Sequence, residues 1–341
     1  MNPNVKRATL ADVAKLAGVS LGSASRALSD PSDVKPATLE RVTQAVAQLD
    51  YVRNGAAQAL ASKKTRMIAV IYPSLDNPIF ASSVNSLQMT LWKKGYQLLI
   101  ASHEYDWERE AQTAIKMIER GIDGLILVGS DHQQSIFDTL RKRQIPYVLT
   151  WSKDSTDDPH CVGFSNEEAA YNMAKLVISK GHRDIAICAG TYLHNERAKA
   201  RVQGTLRAFR EAGIEIDPSA IIEEQLSVEG GRQGLEKILA FKKRPSVIIF
   251  GNDAQAIGAI AKSRELGIKI PEELSVTGFD DIELASLVAP PLTTNKVPIN
   301  DIGIRAADMI VSLINGDLDE GVSTEILDTK VIERQSLRSL I

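Results

Sequence analysis

Five histidines (His103, His132, His160, His182, His194) and two cysteines (Cys161, Cys188) are the side chains in this 341-residue sequence best suited to ligate a metal or act as nucleophiles. Their spacing supports neither role. No HxxxH pair occurs, and His160 and Cys161, as neighbours on a strand, would point to opposite faces. There is no GxxxxGK(S/T) phosphate loop and no GxSxG elbow. EGGRQG at 229–234 has the wrong glycine spacing for a dinucleotide turn. The histidines read as structural or surface groups, and the cysteines as buried free thiols of a reducing cytoplasm. No catalytic residue, metal site or cofactor is expected.

Recognition chemistry remains, and the charge distribution locates it. Residues 1–66 hold ten Lys/Arg against five Asp/Glu, and the remainder holds thirty against thirty-eight. The net charge of −3 is therefore a +5 head on a −8 body. A basic head suits an anionic partner. No apolar run is long enough to cross a membrane, and the N-terminus lacks the pattern of a signal peptide.

The head reads as helical. Thr9 and Asp12 have the spacing of a capping box, Gly18 suits a left-handed stop near Ala17, and Ser20 can cap a second helix to about Ser29. Pro36 fits the first turn of a third helix with Leu39, Val42, Val46 and Leu49 on one face. Three short helices with a tight turn between the first two make a helix-turn-helix over 1–52. YVRNGAAQALASKKT, at 51–65, predicts either a linker or a two-turn helix from Asn54 that is marginal alone. From 66 onward seven apolar runs alternate with amphipathic helices: 67–72, 96–101, 124–129, 147–151, 184–190, 246–251 and 274–279. Continuous apolar strands between helices imply parallel sheets covered on both faces. The body is too long for one sheet. Two doubly wound lobes are expected, one of about 66–163 and 293–322, the other of about 164–292 and 323–341.

TLADVAKLAGVSLGSASRAL, VKPATLERVTQAVAQLDYVRN and AAQALAS resemble the head of the LacI/GalR family of transcription regulators. The likeness continues in order through SLDNPIF, GIDGLIL, NEEAA, KGHRDIA, LGIKIPEELSVTGFDD, PLTTNKVP and IERQSL, across essentially the whole chain. It implies an all-α helix-turn-helix head, a hinge helix at 53–65, and an α/β type I periplasmic-binding-protein-like body. It also implies that Leu21, Gly22 and Arg26 occupy the base-reading positions of a helix in the major groove. Arg26 is the side chain there able to grip guanine or phosphate. Thr9, Ser20, Ser23, Ser25 and Asn54 are further candidates for double-stranded operator DNA, with Ser20 also a simple cap. Ala57 would let paired hinge helices approach, and Leu60 would wedge into the minor groove.

In such a body a ligand sits beyond the C-terminal strand ends, between the lobes. The candidates there are Asp76, Phe80, Trp151, Arg201, Asn252, Asp253, Phe279 and Asp280. One arginine, a few carboxyl or amide groups and aromatic faces suit a hydroxyl-rich effector. Asp253 has a competing reading as a helix-capping group, and Phe80 as core. Trp151 stands where many members carry aspartate, which allows a flatter or less polar ligand. The expected protein is a cytoplasmic homodimer, probing DNA with two heads and pairing through faces near 80–118 and 283–292. The alternatives are a sugar-binding carrier with an incidental basic head and, more remotely, an enzyme with an appended regulator head.

Overall fold

The computed structural model describes residues 8–55, 59, 64–153, 160–318 and 323–341. The chain divides into two compact units, Met1–Thr65 and Arg66–Ile341.

In the first unit, α1 (Leu10–Ala17) starts at the expected capping box. The Asp12 N–H donates to Thr9 Oγ1 at 3.3 Å, and the Thr9 N–H donates back to Asp12 Oδ2 at 2.9 Å. Gly18 closes the helix at φ +61°, where a side chain would be strained. Helix α2 (Leu21–Ser29) is capped by the Ser20 hydroxyl, and α3 (Pro36–Gln48) starts on its proline. Val13, Ala14, Ala17, Ala24, Ala27, Val42 and Ala45 make the common core. Small side chains let the helices approach closely, as a unit this short requires.

The second unit holds two parallel sheets. The first runs in the order β11-β5-β4-β3-β1-β2: β1 (Met67–Tyr72), β2 (Gln97–Ser102), β3 (Gly124–Val128), β4 (Tyr147–Thr150), β5 (His160–Gly163) and β11 (Ser323–Ile326). The alternation along β1 sorts its faces. Ile68, Val70 and Tyr72 pack with α4 (Pro78–Lys93) and α12 (Ile299–Asn315), while Ala69 and Ile71 pack with α5 (Trp107–Glu119) and α6 (Gln134–Arg143). Each fully buried Ile or Leu stabilises the fold by about 1.5–3 kcal/mol.

The second sheet runs β7-β6-β8-β9: β6 (Ile185–Ala189), β7 (Ile221–Glu223), β8 (Val247–Phe250) and β9 (Ser275–Thr277). Ile185, Ile187 and Ala189 face α7 (Asn166–Ser179) and α8 (Glu196–Glu211); Ala186 and Cys188 face α9 (Val228–Leu239) and α10 (Asp253–Glu265). A short helix, α11 (Glu283–Leu287), follows β9.

Three segments join the lobes: Gly163 to Asn166, the stretch into α12, and the stretch out of β11. The last two pair with each other as the antiparallel ribbon of β10 (Thr294–Lys296) and β12 (Lys330–Ile332). The sequence pattern places the return to the second lobe near 323. It comes later, because Ser323–Ile326 pairs with His160–Gly163 at the edge of the first sheet. No described helix is long and apolar enough to cross a membrane.

Candidate functional site

Two sites emerge, one in each unit. In the head, α2 presents an exposed face of Leu21, Gly22, Ser25 and Arg26, opposite buried Ala24 and Ala27. The spacing of i, i+1, i+4 and i+5 is one stripe of a helix. A Cβ at Gly22 would meet only the Ser20 hydroxyl, at 3.9 Å, so the glycine leaves that stripe low and open. The Ser20 and Ser23 hydroxyls lie 2.9 Å apart, and Ser20 accepts the Ser23 N–H at 3.1 Å. Ser20 is thus a cap first. Thr9 is likewise committed to α1, and Asn54 is exposed. Ala57 and Leu60 lie outside the described residues.

In the body, a chain of aromatic rings crosses from the first lobe to the second. Tyr72 and Phe80 stand 5.1 Å apart, Phe80 and Trp151 5.3 Å, Trp151 and Phe164 6.5 Å, and Phe164 and Phe279 6.2 Å. Its far end is capped by Arg201, whose guanidinium lies 4.1 Å above the Phe279 ring. Such a pairing stabilises by about 1–2 kcal/mol when partly desolvated. Arg201 also donates to Asn166 Oδ1 at 3.0 Å and to the Gly251 carbonyl at 2.6 Å. Burial holds its pKa below the ordinary arginine value, partly countered by the charge of Asp280. Asp280 is only 4% exposed, and burial raises its carboxyl well above the usual range despite Arg201 nearby.

The strand-end residues therefore separate. Phe80, Trp151, Phe279 and Arg201 are joined through the ring contacts, and Asp280 lies close enough to Arg201 to feel its charge. Trp151 is held there at φ +69° by its N–H to Val162 and by the Asn166 amide on its carbonyl. Asp76 is exposed beyond β1. Asn252 and Asp253 are spent inside the protein. Asn252 caps α10 and donates to the Leu226 carbonyl at 3.2 Å. Both Asp253 oxygens are engaged, by Thr294 Oγ1 at 2.5 Å and the Ile282 N–H at 2.9 Å, and burial pushes its pKa up to about 6.

Four residues not singled out by sequence join the cleft: Tyr105, Asn166, Arg197 and Asn295. Tyr105 lies close enough to Arg197, Arg201 and Asp280 to feel their charges. The rule that pointed to the other strand ends applies equally to the loop after β2, and would have found it. Arg197 donates to the Val128 carbonyl at 2.6 Å, and its neighbour Glu196 accepts the Ser130 N–H at 2.9 Å. Gly129, at φ +104°, has no Cβ because one would fall on this pair. Trp107 stacks on His194 at 3.8 Å, adding a second tie between the lobes. Beneath Gly129 is a buried trio. His132 Nδ1 lies 3.0 Å from Glu110, His132 Nε2 lies 3.2 Å from the Gly129 carbonyl, and His103 Nε2 lies 3.5 Å from Glu110. No group of metal-ligating residues is found among the described residues.

Residues 9–54 match the family described as bacterial regulatory proteins, lacI family, and residues 174–337 a periplasmic binding protein-like domain. The chain is 30% identical to the catabolite control protein A of Priestia megaterium, over 90% of this chain and 92% of that protein. It is 32% identical to the HTH-type transcriptional repressor PurR of Glaesserella parasuis, over 98% of this chain and 99% of that one. Its fold superposes on the lac repressor dimer bound to operator and the anti-inducer ONPF with a TM-score of 0.86. There the identity is 27%, over 98% of this chain and all of that one.

Proposed function

The chain belongs to the lacI family of bacterial regulatory proteins, and from that premise we propose that it binds a pseudo-palindromic operator as a homodimer under the control of a sugar-derived effector. It is a DNA-binding transcriptional repressor of the family, regulated by a small molecule. The observation that carries the reading is the exposed stripe of Leu21, Gly22, Ser25 and Arg26 on a helix whose other face is buried. Arg26 supplies the bidentate donor for a guanine edge or a phosphate, while Ser20, Ser23, Ser25 and Thr9 approach phosphates. Asn54, Ala57 and Leu60 act with the hinge, Leu60 as the minor-groove wedge. Dimerisation is supported by large apolar side chains left in water where pairing was expected. Met89 and Trp92 on α4 are 47% and 64% exposed, and Leu284 and Leu287 on α11 are 52% and 69% exposed.

The effector lies in the aromatic cleft, where Phe80, Trp151, Arg201, Phe279 and Asp280 would contact it. Closing or opening the lobes around it changes the spacing of the two hinges. Couplings of this kind change affinity about 5–150-fold. The test is a genome-wide footprint of the full-length protein beside a form lacking residues 1–64. A short palindrome marked only by the full-length protein supports the reading. No site marked by either, with or without cell metabolites, favours a ligand-binding carrier instead. Leu60→Ala is expected to weaken operator binding far more than non-specific binding, and equal losses would remove the wedge.

A further inference from the structure

His132, in the loop after β3, lies between two acceptors. Its Nδ1 is 3.0 Å from both Glu110 carboxylate oxygens, and its Nε2 is 3.2 Å from the Gly129 carbonyl. A neutral imidazole carries one N–H and donates to one of them; the doubly protonated ring donates to both. Ring and carboxylate are closed off from water, their side chains 2% and 1% exposed. Burial works against the charged ring, but the Glu110 bond and charge and the Gly129 carbonyl outweigh it and raise its pKa.

The loop that His132 grips from within the first lobe is the one the second lobe grips from outside. Arg197 donates to the Val128 carbonyl at 2.6 Å, and the Ser130 N–H donates to Glu196 at 2.9 Å. Both side chains occupy the place of a Gly129 Cβ. Glu196 also lies close enough to feel the imidazolium. From the loop after β2, His103 Nε2 stands 3.5 Å from Glu110, with Glu104 beside it and Arg197 facing it from α8. Burial lowers the His103 pKa despite Glu110, and Arg197 adds to the effect, so His103 is mainly neutral above pH 7. His194, stacked on Trp107, is the remaining histidine at these ties.

We propose that the ties between the lobes are proton-operated. While His132 is protonated it holds Gly129 and Ser130 in reach of Arg197 and Glu196. When the proton leaves, the bare Nδ1 faces a carboxylate, the ring turns away and the ties loosen. The lobes then part more often at alkaline pH, with no ligand bound. This goes beyond the effector reading and is measured without an effector.

The test uses the full-length protein with spin labels on Lys142→Cys in α6 and Arg210→Cys in α8, exposed positions in opposite lobes. The native Cys161 and Cys188 are buried and stay unlabelled. The distance between the labels is read by double electron–electron resonance from pH 6.5 to 9. The expected result is one short distance at pH 6.5 and a growing longer population toward pH 9. Their ratio changes by at most about tenfold per pH unit, as one proton allows. In Glu110→Gln the short distance persists to pH 9, because the glutamine N–H donates to the bare Nδ1 while Nε2–H keeps the Gly129 carbonyl. His132→Gln, with no proton to lose, gives the same distribution at both ends; either variant decides if the other fails to fold. His194→Phe keeps the ring stack and the pH response of the parent protein. A parent distance that does not change with pH overturns the proposal. So does a response that survives in Glu110→Gln or His132→Gln, or one that vanishes in His194→Phe, which would make His194 the titrating group.

Discussion

Replacing Asp253 by asparagine is expected to stabilise the body at pH 8 and to do nothing for it at pH 4. Asp253 is fully buried at the start of α10, with a pKa near 6 against an ordinary 3.8. The unfolded chain releases that proton around pH 4 and the folded chain only around pH 6. Between those values the native state holds more protons, so its stability falls as pH rises, and above pH 6 the whole cost is present. Moving a carboxyl from 3.8 to about 6 corresponds to about 3 kcal/mol. Asparagine keeps both bonds, its oxygen accepting the Ile282 N–H and its nitrogen donating to Thr294 Oγ1, without a charge to bury. At about 2 °C per kcal/mol, the low end for a large domain, the variant melts about 6 °C higher at pH 8. Scanning calorimetry of both proteins from pH 4 to 8 reads this group together with its charge coupling to Asp280, while the distant titrations cancel in the difference. A variant that is less stable by the same amount at every pH would refute the reasoning, because Asp253 would then act as an ionised clamp. A folded variant that no longer responds to effector would return Asp253 to the ligand set.

Two other perturbations test the frame of the cleft. Burial alone would lower the His132 pKa, but the Glu110 hydrogen bond and charge and the Gly129 carbonyl outweigh it and hold the value above 6.5. Its contribution is therefore complete below pH 6.5 and lost as pH rises through the folded value, so His132→Gln should lower the melting temperature more at pH 6 than at pH 9. Equal losses at both would mean that the ring acts through packing alone. In Gly204→Ala, a Cβ would overlap the Glu167 carbonyl oxygen where α8 crosses α7. The two helices must part, at about 1–3 kcal/mol, read as a lower thermal midpoint of the body; an unchanged midpoint would show that the crossing has slack.

The seven long apolar runs all became strands, because a strand buried on both faces writes its burial directly into sequence. His160–Gly163, Ile221–Glu223, Thr294–Lys296, Ser323–Ile326 and Lys330–Ile332 left no such mark. They are three or four residues long, and several carry charged or hydroxyl side chains at positions their partner strand, not the core, holds in place. The head was legible almost to the residue, since its caps depend on local chemistry: Thr9 with Asp12, Gly18, Ser20 and Pro36. The cleft was legible only in part. Position after a strand locates a side chain but does not say whether its polar atoms are already used. Asn252 and Asp253 pass the positional test and are consumed by α10, Thr294 and Ile282. Asn295 fails it, sitting within a short ribbon, and its place beside Arg201 appears only when the lobe is folded.

The ties that Arg197, Glu196 and Trp107 make across the lobes have a kinetic consequence. They leave from β3 and the β2 edge of the first sheet, whereas the chain itself crosses at β5 and β11, toward the opposite edge. The cleft is thus covalently hinged on one side and clasped on the other. Admission of a ligand has to wait for the clasp to part, so at high concentration the rate of association levels off at the frequency of opening. For an effector bound there as proposed, the response is then paced by three contacts between the lobes rather than by diffusion.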